Sequence, residues 1–93
     1  MTRFDYPASV IPAAKFAPRQ RGYVVLFADV PEAHAQAESI KAALTKAADA
    51  LLAALGGYIE LRRPLPTPSR PKRGQRVVVV PPLVAAKLAL YRA

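Results

Sequence analysis

Cysteine is absent from these 93 residues, which carry only six acids against fourteen Lys and Arg, and a single histidine. The missing thiols exclude a disulfide framework, thiol catalysis and thiolate zinc sites, and they suit a reducing cytoplasm. The scarcity of acid restricts metal and acid–base chemistry in the same way. Of Asp5, Asp29, Glu32, Glu38, Asp49 and Glu60, only Asp29 and Glu32 are close in sequence, too few hard oxygen ligands for a dedicated cation site. His34 stands alone, and Ser9 and Ser39 lie in no nucleophile motif, so no hydrolytic triad is expected. Gly56–Gly57 follows no strand and carries no P-loop lysine, which removes the usual phosphate cradle. No apolar run reaches the 18 or so residues that cross a bilayer. Phe4–Ile11 is short and interrupted by Asp5 and Pro7, so no signal peptide is expected. The expectation is a non-enzymatic cytoplasmic protein with no cofactor, metal, membrane or small-molecule substrate.

What is present is apolar and basic. A hydrophobic fraction of 53% in a chain of this length serves one domain with one core. The formal charge is +8 and the sequence pI about 10.5, which invites a polyanionic partner without saying anything of the fold.

The chain is organised around Ser39–Glu60. Ile40, Ala43, Leu44, Ala47, Leu51, Ala54, Leu55, Tyr58 and Ile59 follow the spacing of an amphipathic helix with one buried stripe. Ser39 suits the N-cap, and Arg62 and Arg63 suit the negative pole of the helix dipole. Gly56–Gly57 works against the helix, since each glycine costs about 1 kcal/mol relative to alanine in a helix interior. The phase of Tyr58 and Ile59 nevertheless carries it to Glu60.

Ahead of the helix, Tyr6–Ile11 reads as a strand whose prolines place it at an edge or confine them to its ends. Tyr23–Ala28 is the strongest strand, and its unbroken apolar run implies burial on both faces and a central position. Asp29–Glu32 is a turn, and Ala33–Ala37 a weaker strand. After the helix, Pro64–Arg76 holds four prolines and is expected to be extended and hydrated. Val77–Val80 reads as a short strand, and Leu83–Ala93 as a short terminal helix opened by Pro82. The fold class is therefore α+β: a β-β-β-α-β two-layer unit with one long helix on a small, mostly antiparallel sheet. Residues 1–81 form the domain, 62–76 its basic connector, and 82–93 a linker or the truncated start of a further domain.

Five pieces occur in a recognisable order: Gly22-Tyr-Val-Val-Leu-Phe-Ala-Asp-Val-Pro31, Glu38-Ser39 opening an alanine-rich helix, Gly57-Tyr-Ile-Glu60, Leu65-Pro-Thr-Pro-Ser69, and Val77-Val-Val-Val-Pro-Pro-Leu-Val-Ala-Ala-Lys-Leu-Ala-Leu-Tyr91. In this the chain resembles the HicB family, the antitoxin half of HicA–HicB toxin–antitoxin pairs. The resemblance implies a partial RNase H-like fold without nuclease activity. It also implies stoichiometric inhibition of a small HicA-type mRNA-cleaving toxin, and often a C-terminal DNA-binding domain. Ala37 stands where members usually carry glycine, and Lys41, Ala42 and Ala43 where they carry acids.

Three sets of residues follow as candidates. Phe27, Asp29, Val30, Pro31 and Glu32, together with the exposed sheet, are the expected toxin contact. Arg62, Arg63, Arg70, Lys72, Arg73 and Arg76, with Lys15, Arg19 and Arg21, are the alternative, a small basic nucleic-acid-binding or transcription-regulatory protein using phosphate contacts. Leu83, Val84, Leu88 and Tyr91 form an apolar side expected to drive self-association into a dimer or tetramer. A degenerate Mg²⁺-dependent nuclease would need Asp29 and further acids brought beside it.

Overall fold

The structure is a computed structural model in which residues 5–79 and Lys87 are described. Strand β1 (Asp5–Pro12) is followed by a single 3-10 turn (Ala13–Lys15), β2 (Tyr23–Leu26), β3 (His34–Ala37), helix α1 (Ile40–Glu60) and β4 (Arg76–Val79). The sheet order is β3-β2-β1-β4, and every pairing is antiparallel. The α+β two-layer arrangement read from periodicity is the one observed. Apart from Lys87, which is helical and exposed, the terminal helix from Pro82 lies outside the described residues, as does Val80, the last residue of the strand.

Helix α1 begins and ends for local reasons. Ser39 is extended, and its hydroxyl accepts a bond from the Ala42 amide at 3.1 Å, satisfying one of the unpaired donors of the first turn. The paired glycines do not end it. Termination falls at Arg62, which adopts a left-handed φ of 53°. The Arg62 amide bonds to the Ile59 carbonyl at 3.0 Å, and the Arg63 amide to Tyr58 at 2.8 Å. This is the two-bond closure in which glycine normally holds the left-handed position.

A Cβ built on Gly56 or Gly57 meets nothing within 4 Å, so no packing inside the molecule requires either glycine. Replacing both with alanine is expected to stabilise the fold by about 1–2 kcal/mol, since alanine loses less backbone freedom on folding. A urea midpoint that does not rise would contradict this.

Ala43, Ala47, Leu51, Leu55 and Tyr58 form the buried stripe of α1, packed mainly on β3 and β2 and less on β4. Tyr6, Ala8, Val25, Phe27, Val30, Ala33 and Val78 meet it from the sheet side. Alanines at the start of the stripe let the helix approach the sheet closely, and the leucines fill the wider space beyond. By length and a mean hydropathy of 1.2, α1 is also apolar enough to cross a membrane. Here its stripe is covered by the sheet, and Lys41, Lys46 and Asp49 lie on its exposed side.

Two strand expectations are corrected. β1 is an interior strand, not an edge. Its prolines are tolerated because its halves pair with different neighbours: Asp5–Ala8 with β4, Ser9–Pro12 with β2. Each half is thus an edge on one side, where a missing N–H breaks no ladder. β2 is central as expected, but only one of its faces is buried. Val25 is fully enclosed while Leu26 is 37% exposed.

Candidate functional site

The helix covers one face of the sheet and leaves the other open. Residues directly opposite each other on paired strands point to the same face, so the registers Ser9↔Leu26↔His34 and Ile11↔Val24↔Gln36 place these six side chains together on the uncovered side. Val77 and Val79, opposite Pro7 and Asp5, share that side on β4, where Pro7 is fully buried and Pro68, Ser69, Arg70 and Pro71 border a further depression with Asp5 and Val77. Val79 is 62% exposed, and Phe16, just beyond the 3-10 turn, 61%.

Two shallow depressions mark this face. One is lined by Ala13, Phe16, Gln20, Val24, Leu26 and Gln36. The other is lined by Ser9, Ile11, Leu26, Phe27, Ala28 and Pro31. Leu26 is their common wall, and the second depression joins the sheet face to the Asp29–Glu32 turn. A patch of exposed aliphatic groups bordered by Ser, Gln and His has the chemistry of a protein contact, with an apolar centre and a polar rim.

The turn itself is used differently from the sequence expectation. Phe27 and Val30 are 2% and 0% exposed and belong to the core, because Tyr23, Val25 and Phe27 share the parity that faces α1. Val30 is enclosed, whereas Phe27, although almost wholly buried, still lines the second depression. Pro31 is exposed at the rim of the depression.

The two acids of the turn hold the connector in place. Asp29 accepts bonds from the amide and the hydroxyl of Ser69, both at 2.9 Å. Glu32 accepts the Tyr58 hydroxyl at 2.8 Å and an Arg63 guanidinium N–H at 3.5 Å. Arg63 lies 4.4 Å above the Tyr58 ring centroid, so it closes the helix end and the turn together. The Tyr58 hydrogen bond is the main cause holding the Glu32 carboxyl below its ordinary range, with the residue's own backbone and Arg63 acting the same way. The same bond, reinforced by burial, raises the Tyr58 hydroxyl. A third tie, from the Tyr6 hydroxyl to the Pro66 carbonyl at 2.6 Å, fixes the connector to β1.

Among the described residues, no three His, Cys, Asp or Glu side chains gather as metal ligands. Asp29 has Ser69 beside it, not further acids. Of the expected phosphate-binding cations, Arg63 is committed to Glu32 and Tyr58, whereas Arg62, Arg70, Lys72, Arg73 and Arg76 are exposed. Lys15, Arg19 and Arg21 lie in or beside the β1–β2 connection, away from that set in sequence. Leu83, Val84, Leu88 and Tyr91 lie outside the described residues.

Val24, Leu26, Ile11 and Phe16 were not singled out by sequence reasoning. The alternation of Ser9, Gln36 and His34 with apolar neighbours was the signal that one face stays wet.

Comparison with known proteins gives a consistent picture. Residues 5–89 match a family model described as the HicB-like antitoxin of a bacterial toxin–antitoxin system. The chain is 42% identical over 76 residues to Antitoxin HicB 2 of Photorhabdus laumondii, covering 82% of this chain and 53% of that protein. It is 38% identical over 88 residues to Antitoxin HicB of Escherichia coli K12, covering 95% of this chain and 60% of that one. Antitoxin HicB 1 of Photorhabdus laumondii is 36% identical over 88 residues, 95% of this chain and 52% of that relative. The chain therefore spans between half and three-fifths of the length of these relatives.

Proposed function

The chain belongs to the HicB-like antitoxin family of bacterial toxin–antitoxin systems, and from that membership we propose that it acts in the cytoplasm as a non-catalytic inhibitor of a small HicA-type mRNA-cleaving toxin. Inhibition is by occupation: the toxin docks on the uncovered sheet face and its catalytic surface is masked. The observation that carries this reading is the pair of depressions sharing Leu26, flanked by Ile11, Val24 and Pro31. A side chain at the centre of a patch, ringed by groups that exclude water, is where binding energy concentrates. The turn acids Asp29 and Glu32 support the contact by fixing Pro31 and the connector. Because the face is mainly aliphatic, affinity rests on apolar burial and depends little on salt.

Co-expression with the small gene adjacent to this one tests the reading. The wild-type chain is expected to restore growth and to copurify with the toxin. Leu26→Asp is expected to weaken the complex by about 2 kcal/mol or more, roughly thirtyfold in Kd, with a melting temperature close to that of the wild type because Leu26 is already part exposed. Titration calorimetry showing unchanged affinity for Leu26→Asp would remove the sheet face from the mechanism. Failure of the wild type to bind or rescue would remove the antitoxin reading itself.

A further inference from the structure

From Arg62 to Arg76 the chain carries six cations and no acid, and the structure divides them. Arg63 is held by Glu32 and Tyr58, and Arg62 closes the helix. Arg70, Lys72, Arg73 and Arg76 are exposed, and none has a carboxylate partner among the described residues. A basic set this close together repels itself, with Asp5 at the depression that Arg70 borders and Asp29 on the neighbouring Ser69 the nearby acids.

The same segment is ordered. Lys72–Gln75 forms a tight turn in which the Gln75 amide bonds to the Lys72 carbonyl at 3.0 Å. The Lys72 amide bonds to the Gln75 side-chain oxygen at 2.8 Å. Gly74 supplies the positive φ of 85° that the turn requires. The Gln75 side-chain nitrogen donates to the Ser9 hydroxyl at 3.2 Å, fastening the turn to β1. Upstream, Ser69 is fixed to Asp29 and Pro66 to Tyr6. The backbone bearing the four cations is thus tied at both ends before any ligand arrives, which reduces the ordering cost of binding.

We infer that Arg70, Lys72, Arg73 and Arg76, presented by the Lys72–Gln75 turn and the start of β4, form a binding site for the phosphodiester backbone of duplex nucleic acid. Arginine forks and a lysine point charge suit phosphate oxygens. Pro71, Gly74 and Gln75 separate the cations, so the cluster lacks the large apolar anchor that a protein interface needs at its centre. No aromatic residue lies between Arg62 and Arg76, so unpaired bases have nothing to stack on, and a duplex, which offers its backbone, is the matching form. The site borders the uncovered sheet face at Ser9 and Val77, and its test does not depend on the toxin reading.

Fluorescence anisotropy with the full chain and a labelled mixed-sequence duplex of about twenty base pairs, over a salt series, tests it. A DNA and an RNA version distinguish the two sources of the same backbone chemistry, and tight binding of either supports the site. Each neutralised phosphate contributes a slope of about −0.9 in log K against log salt. The combined Arg70→Ala, Lys72→Ala, Arg73→Ala and Arg76→Ala variant is therefore expected to bind at least about thirtyfold more weakly at 50 mM salt and to lose about three units of slope. A second variant of equal net charge, Lys41→Glu with Lys46→Glu on the exposed side of α1, is expected to stay within threefold of wild type. Equal losses in both variants would mean that overall charge alone binds, overturning the site. Preference for single strands, or polyglutamate competing as well as DNA of equal charge, would overturn it as well. Circular dichroism verifies that both variants are folded, and replacement of the three arginines by lysine is expected to retain duplex binding.

Discussion

Gly22→Ala is expected to lower stability by about 2–5 kcal/mol, combining positive-φ strain with steric overpacking. Two independent constraints meet at this residue. Its φ is +90°, outside the range an L side chain takes comfortably. A Cβ there would also overlap the carbonyl oxygen of Ala37 and come within 3.0 Å of its carbonyl carbon and 3.1 Å of Glu38 Cα. All three are backbone atoms at the junction of β3 and α1, so no side-chain rotation relieves the clash. The Gly22 carbonyl is meanwhile held by the Ala13 amide at 2.9 Å, which prevents the loop from moving away. Against a total stability of roughly 5–15 kcal/mol for a typical domain, such a loss leaves a marginal protein. Urea unfolding followed by circular dichroism measures it, and a loss below about 1 kcal/mol would show that the β1–β2 connection yields more readily than its bonds indicate.

Leu51→Ala is the second large effect, expected at about 2–5 kcal/mol. Leu51 is 1% exposed in the middle of α1, within the cluster that includes Val25, Ala47 and Leu55. Its truncation loses the transfer free energy of the missing carbons and leaves a void that a helix tied at both ends cannot collapse around. Leu52→Ala is the matched control, since the same atoms are removed one position along from a residue only partly buried against the core. Helix propensity changes equally in both variants, so the difference between them reports burial alone. Leu52→Ala is expected to cost less than half as much, and equal losses would mean that α1 is rotated from the phase described above.

The phase of α1 was legible in the sequence because its apolar residues repeat with the period of the element, and its start because Ser39 is a residue that caps. The faces of β2 were not. Tyr-Val-Val-Leu-Phe is apolar at both parities, so alternation carries no information there. Which side is buried was decided by a helix lying far along the chain. The same remoteness hid the role of the turn. Asp29 and Glu32 were legible as turn residues, but their partners Ser69 and Tyr58 are 40 and 26 residues away, and no local pattern announces such a pairing. Phe27 and Val30 were read as contact residues because they lie beside and within that turn; that the parity of Tyr23, Val25 and Phe27 is the inward one is set by α1. The basic connector was legible as a composition. Its division into one engaged guanidinium and four exposed cations depends on contacts between residues far apart in the chain.

The division of β1 bears on how the molecule responds to mechanical load. No residue of β1 belongs to both ladders, since Asp5–Ala8 pair only with β4 and Ser9–Pro12 only with β2. Tension arriving through the residues after Val79 is taken first by one four-residue seam and by the ties at Ser9, Asp29 and Tyr6. It reaches the β1–β2–β3 hairpins only after these give way. The last strand therefore works as a fuse, able to peel away under traction while the helix stays seated on the other three strands.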